Sequence, residues 1–218
     1  RHIRDCLNAR GVLGLKNSLL LSAGTALGGT VIAAFAAYAA ARHRGGLARS
    51  VHLLSTLTLS IPGLVLGLAY VLAFKRTALY ETMGILIFSS IIHFFTTPYL
   101  MLYQTFGKLN DNLEGTGRVL GVPPFRLFAS VFLPQCAETL LDMFSYFFLN
   151  AMVTISAVSF LATAQTRPLS MLVTQYSDQI NPEGAAVLSF FILTINLLVR
   201  GIVFLLKRLL CTPARAAQ

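Results

Sequence analysis

Glu138 and Asp142 stand four residues apart in a chain with only eight acidic residues among 218. One helical turn of separation puts two carboxylates on a common face, an arrangement that general acid–base chemistry uses. They open an apolar run and carry no pocket signal, so a structural role is the expectation. His52 and His93 are lone histidines without converging partners, which predicts helix contacts rather than ligation. Cys6, Cys136 and Cys211 are far apart, odd in number and form no Cys-x-x-Cys; they read as small apolar fillers, not as a disulfide framework or a zinc site. Gly-x-x-x-x-Gly-Lys-Ser/Thr and Gly-x-Ser-x-Gly are both absent from the sequence. Gly115-x-Gly117-x-x-x-Gly121 is one residue too long for the dinucleotide fingerprint and follows no strand. No catalytic set, metal site or cofactor is expected, and any energy source must be another chain.

The elements that would position these residues are apolar. Hydrophobic residues make up 56% of the chain and charged ones 11%, with mean hydropathy +0.72. Soluble domains carry about 25% charged residues. Five stretches reach the roughly 20 apolar residues that cross a bilayer: 17–41, 50–74, 82–107, 137–166 (apolar from Met143) and 184–207. Lipid offers no partner to unpaired backbone groups, so each must be a helix. The predicted fold is all-α, a polytopic transmembrane helical bundle in contact with membrane lipid.

The net charge of +9 comes from short stretches between the apolar runs. Basic residues placed this way orient membrane proteins and do not suit nucleic-acid binding. Nine of them fall in the 42–49 loop, the 108–134 loop and the tail: Arg42, Arg44, Arg49, Lys108, Arg118, Arg126, Lys207, Arg208 and Arg215. Against these stand Lys75, Arg76 and Arg167, joined by Arg1, Arg4, Arg10 and Lys16 of the N-terminal segment. The bias puts the first group, with the tail 211–218, in the cytoplasm and segment 1–16 outside. The sequence begins at Arg1 with no signal-peptide pattern, which reads as a piece of a longer chain.

Within the spans, Gly24-x-x-x-Gly28 and Gly63-x-x-x-Gly67 predict close helix packing inside the bundle. Pro62 and Pro98 predict kinks. Asn150 and Thr154, at i and i+4, could share a face and line a substrate pathway; the competing reading is interhelical hydrogen bonding. Arg200 lies close enough to Lys207 to snorkel to the interface.

The stretch 108–134 is amphipathic rather than spanning. Asn110 or Asp111 can cap a helix, Glu114 suits its first turn, and Gly121 suits its end. Leu113, Val119 and Leu120 can form one apolar side. Pro123-Pro124 stops that helix and lets a second begin at Pro124. Phe125, Phe128 and Phe132 predict a single apolar stripe along it.

Here the chain resembles the permease subunits of ABC importers. Their cytoplasmic loop reads Glu-Ala-Ala, three residues, Gly, about nine residues, a hydrophobic, one residue, Leu-Pro. Gly121, Val131, Leu133 and Pro134 fall in that register. The Glu-Ala-Ala positions hold Gly115, Thr116 and Gly117 instead, with Glu114 one residue early. The resemblance implies the MetI-like permease fold. It also implies coupling helices docked on a separate ABC ATPase subunit, with Glu114, Gly115, Thr116, Gly117, Gly121, Pro124, Phe125, Leu133 and Pro134 as the coupling residues and Phe125 as a knob. A periplasmic substrate-binding protein and a second permease half, fused or separate, are implied as partners, and the bacterial inner membrane as the location. Asn17-Ser18-Leu19 is similar to the start of that permease domain. Residues 150–161 resemble the 2-aminoethylphosphonate permeases and more loosely the ferric-iron permeases, which suggests phosphonate transport with ferric iron or another small solute as the alternative. A secondary transporter or channel without an ATPase predicts inverted repeats or intramembrane carboxylates, and the sequence displays neither.

Overall fold

The computed structural model describes residues 9–43, 45–110, 112–179 and 182–215. Among the described residues, eleven helices follow in chain order: α1 (Ala9–Arg42), α2 (Gly46–Leu57), α3 (Gly63–Phe74), α4 (Met83–Phe94), α5 (Thr96–Gly107), α6 (Leu113–Val119), α7 (Pro124–Leu127), α8 (Leu133–Gln135), α9 (Ala137–Val153), α10 (Leu169–Asp178) and α11 (Pro182–Arg215). A 3₁₀ turn, Thr58–Ser60, follows α2, and a π turn, Phe128–Phe132, joins α7 to α8. The fold is all-α, with no strand among the described residues.

Among the described residues, two helices are long and apolar enough to cross a bilayer unbroken, over Gly11–Arg42 and Pro182–Leu210. Three bent pairs raise the number of candidate spans to five: α2 with α3 at 111°, α4 with α5 at 54°, and Pro124–Gln135 with α9 at 80°. The expected spans are therefore not all rods. The 50–74 run turns at Pro62, which has extended geometry (φ −59°, ψ 138°) and no N–H to continue a helix. The 82–107 run bends at Phe95 rather than at Pro98. A proline ring clashes with the carbonyl four residues upstream, which is Phe94, so the break falls there. The 137–166 run is helical only to Val153. Beyond it, side chains from other helices hold the backbone: Ser170 Oγ donates to the Thr154 carbonyl at 2.7 Å and Ser89 Oγ to the Ala157 carbonyl at 3.2 Å. The outer helices also overrun their expected limits. α1 starts at Ala9 inside the expected 1–16 segment, and α11 continues to Arg215 inside the expected tail.

α1 is the central post, packing most extensively against α9 and α5. Its alanines Ala26, Ala33, Ala34 and Ala37 are buried against Tyr99, Leu102 and Phe106 of α5 and Met143 and Phe147 of α9. Small residues let the backbones approach: a Cβ on Gly29 would lie 2.8 Å from the Phe147 ring, and one on Gly24 2.6 Å from Ile87 Cδ1. The Gly24 and Gly28 pair thus packs inside the bundle, against Ile87 and Ile91 of α4. Gly63 and Gly67 do the same against Ser156 and Ala157. The helix breaks meet one another. Gly63 sits against His93 and Ser156, and the Thr58 and Thr96 hydroxyls lie 2.7 Å apart while Thr96 Oγ1 donates to the Ser55 carbonyl at 2.8 Å. Non-helical backbone survives at membrane depth when it is buried in protein in this way. α11 has the opposite character. It leaves Phe190, Leu197 and Phe204 exposed as an apolar outer face, the surface that a lipid-facing helix presents.

Candidate functional site

The stretch after α5 folds as an elbow, built of α6, α7, the π turn and α8. Its entrance differs from expectation. Asn110 Oδ1 accepts the Asn112 N–H at 2.9 Å, which closes a turn before the helix, and Asn112 occupies the N-cap without a side-chain bond. Asp111 lies outside the described residues. The exit of α6 is a Schellman motif. Val122 N–H bonds the Gly117 carbonyl at 2.9 Å, Gly121 N–H bonds the Arg118 carbonyl at 3.1 Å, and Gly121 adopts φ 67°. Glycine is required there because a Cβ in the left-handed region meets its own backbone. Pro123 is extended and Pro124 opens α7 at its first position.

The elbow's faces are not those of a uniform helix. Leu113 packs toward the core, but Val119 is 88% exposed and Leu120 71%, so the expected three-residue apolar side is split. The phenylalanine stripe is split too: Phe128 and Phe132 are buried, while Phe125 is 70% exposed. Phe125 lies ahead of a π turn that Phe128 and Phe132 bound. Leu133 N–H reaches back five residues to the Phe128 carbonyl, and Pro134, lacking an N–H, relaxes its clash with the turn ahead of it by widening that turn. Phe128 and Phe132, at the two ends of the widened turn, both pack on Tyr38, at ring-centroid distances of 4.8 and 5.3 Å. Gly117 is buried, with Leu127 Cδ2 only 3.0 Å from where its Cβ would be, so α6 and α7 close on each other. Gly115, Thr116, Gly121, Pro124 and Pro134 are exposed and Leu133 is half-buried against the core.

Glu114 does not face outward with them. Its carboxylate takes both prongs of Arg42, at 2.6 Å from Nε and 2.6 Å from Nη2. Arg42 closes α1, and its side chain is 4% exposed against 22% for Glu114. The same guanidinium donates to the carbonyls of Phe106 and Leu109 at 3.3 Å each and of Asn110 at 2.8 Å. It also stands 5.3 Å over the Phe132 ring. The Arg42 fork holds the Glu114 carboxyl below the usual carboxylate range, against a smaller opposing effect of burial. In the sequence Arg42 was only one of nine topology charges. Nothing in local spacing signals a contact to a residue 72 positions away. Beside the pair is a cavity of about 570 Å³ lined by Tyr38, Ala41, His43, Arg118 and Pro124 among others.

Glu138 and Asp142 are tied to the end of α11. Lys207 Nζ lies 2.6 Å from Asp142 and 3.9 Å from Glu138. Arg200 is exposed on the same helix. The ends of α1 and α11 and the elbow thus gather at one end of the bundle.

The pathway pair Asn150 and Thr154 does not form as expected. α9 stops before Thr154, which takes φ −64°, ψ 138°, so the two share no helical face. Asn150 Nδ2 donates to the Tyr146 carbonyl at 2.8 Å, a bond within its own helix. Thr154 is buried with its hydroxyl unpaired. His52 Nδ1 lies 2.8 Å from the Tyr99 hydroxyl, a contact between α2 and α5. Residues to which the sequence assigned no structural contact hold the segment after α9. Asn17 Nδ2 donates to the Gln165 and Arg167 carbonyls at 2.7 and 3.1 Å, and Ser18 Oγ accepts the Leu169 N–H at 2.7 Å. A polar pair opening an apolar run was the available signal.

The geometry has counterparts. The chain is similar to the "Fe(3+)-transport system permease protein FbpB 2" of Haemophilus influenzae, with 29% identity over 195 residues, 88% of this chain and 38% of that one. It is also similar to a "Spermidine/putrescine transport system permease protein PotC homolog" of Mycoplasma genitalium, with 29% identity over 124 residues, 55% of this chain and 44% of that one. The chain thus spans less than half the length of these curated relatives. Among solved structures, a chain of a bacterial alginate ABC transporter, crystallised in complex with a periplasmic protein carrying an alginate pentasaccharide, superposes with a TM-score of 0.79 at 13% identity. The match covers 97% of this chain and 83% of that one; identity that low speaks to the fold alone. The sequence profile described as "Binding-protein-dependent transport system inner membrane component" matches residues 19–210, which takes in every helix but part of α1 and the end of α11. With its apolar bundle and its proline-broken elbow, this chain belongs to the family of inner-membrane components of binding-protein-dependent transport systems.

Proposed function

We propose that this chain is the permease of an ATP-driven importer, sits in the bacterial inner membrane as a multi-pass protein, and receives the push of a separate ABC ATPase subunit at the elbow. The observation that carries the reading is the elbow itself. A rigid turn at Gly121 presents Val119, Leu120 and Phe125, all exposed and apolar, at the bundle end where α1 and α11 also terminate. Exposed aromatic knobs on short rigid helices suit rigid-body transmission across a joint. Gly115, Thr116, Gly121 and Pro124 complete that surface, Gly117 closes it from behind, and Leu133-Pro134 anchor it to α9. A periplasmic substrate-binding protein delivers the solute at the other end, and a second permease half completes the pathway. The family points to a transport subunit rather than an enzyme.

The solute is small. Ferric iron stands first, because the relative named for Fe(3+) transport aligns over 88% of this chain. 2-Aminoethylphosphonate, suggested by residues 150–161, stands second. Asn150 and Thr154 border the irregular segment after α9, and their place on the pathway rests on that position.

The deciding measurement is affinity purification of the tagged chain from its native membrane. We expect an ATPase with a phosphate-binding loop to co-purify, and Phe125→Ala with Leu120→Ala to lower its recovery. Purification without an ATPase would favour the secondary-transporter reading. Uptake of radiolabelled ferric ion and growth on 2-aminoethylphosphonate as sole phosphorus source, each after deletion of the gene, separate the two substrates.

A further inference from the structure

We infer that Arg42 is a positioning residue for coupling: it fastens the elbow to the central helix α1, so that a push on the elbow moves α1 as one body. The inference rests on the coupling reading above and adds the joint that reading lacks. The elbow's acidic residue faces inward, so its partner is in this chain and not in the ATPase.

One side chain connects four elements here. It belongs to α1, it donates to the carboxylate of α6 by a two-pronged bond, it donates to the Phe106, Leu109 and Asn110 carbonyls at the exit of α5, and it covers Phe132 of the π turn. These bonds employ Nε and both terminal nitrogens. A planar fork with five N–H donors can hold a carboxylate and three carbonyls at once; a lysine ammonium has three donors and cannot serve all four groups. The pair is well shielded, so water screens it little and its geometry is stiff. The surroundings make the fastening matter. The cavity of about 570 Å³ separates Tyr38 and Ala41 of α1 from Arg118 and Pro124 of the elbow. Phe128 and Phe132 pack the π turn onto Tyr38, but α6 borders the gap, and without the ion pair it is free to swing into it. A swing of that kind would absorb the ATPase stroke before it reached α1.

Arg42→Lys, Glu114→Gln and the wild type, each co-purified with the ATPase and reconstituted in liposomes, provide the test. We expect the variants to retain the ATPase in wild-type ratio and to hydrolyse ATP at nearly the wild-type rate. Uptake per ATP should fall about tenfold, the loss of a coupling free energy of ordinary size. Spin labels on Ala36 and Thr116 should keep their separation through the ATP cycle in the wild type and vary in Glu114→Gln, a readout that a merely stabilising ion pair would not move. Uptake and hydrolysis falling together with the amount of assembled complex would overturn the inference, as would unchanged uptake per ATP. Failure of the wild type itself to retain an ATPase overturns the coupling reading and this inference with it.

Discussion

Arg42 and Glu114 meet across 72 positions of sequence, and their bond gives the residue scale its clearest consequence. The carboxyl of Glu114 titrates below the usual carboxylate range because its charged form is the one Arg42 binds. A depressed carboxylate contributes stability above its unfolded-state value and loses it as pH falls through the folded one. We therefore expect thermal stability in detergent to drop as the pH is taken below about 4, the ordinary glutamate range. Glu114→Gln should start lower and show a flatter dependence in that window. A variant as pH-sensitive as the wild type would place the titrating group elsewhere. Gly121 gives a second expectation. At φ 67° a side chain is strained even though no neighbour lies within 4 Å, so Gly121→Ala should cost about 1–2 kcal/mol of local stability, read as faster amide exchange over Val119–Leu127.

At the scale of elements, close approach and interruption govern the bundle. α1 and α9 are as near as Gly29 on Phe147 allows, and the ring is held in a fully buried site. Gly29→Ala should destabilise the protein by about 1–3 kcal/mol through overpacking, measured by unfolding in mixed micelles. The same change at Gly115, inside α6 with nothing within 4 Å, should instead raise stability by about 0.5–1 kcal/mol. The breaks obey a different physics. Each is placed by a proline or by a side chain that takes over a backbone bond. The Ser170 bond to the Thr154 carbonyl is the first of the ties that hold the chain irregular after α9. Ser170→Ala should raise amide exchange between Thr154 and Ala162 and leave α1 and α11 unaffected.

For the whole molecule, sidedness is the organising property. The Arg42 end, the elbow and the Lys207 end of α11 lie together, whereas Asn17 and Ser18 at the other end of α1 hold the Gln165–Leu169 segment. Single cysteines introduced in a cysteine-free background should report this. Ala164→Cys should react with an impermeant maleimide added to intact cells, and Val119→Cys only in inverted vesicles. Both residues are exposed, so labelling from one side for both would overturn the topology.

The amino-acid sequence by itself determined the fold class, the apolar runs and the proline-broken elbow with glycine at its turn. These depend on local quantities: hydropathy over a span, the missing N–H of Pro124 and Pro134, the left-handed backbone at Gly121. Only the tertiary structure decided that Glu114 faces Arg42, that Phe125 parts company with Phe128 and Phe132, and that α9 stops before Thr154. Each of those outcomes turns on a contact made outside the helix concerned or on an interruption within it, and periodicity extrapolated along one helix cannot contain it.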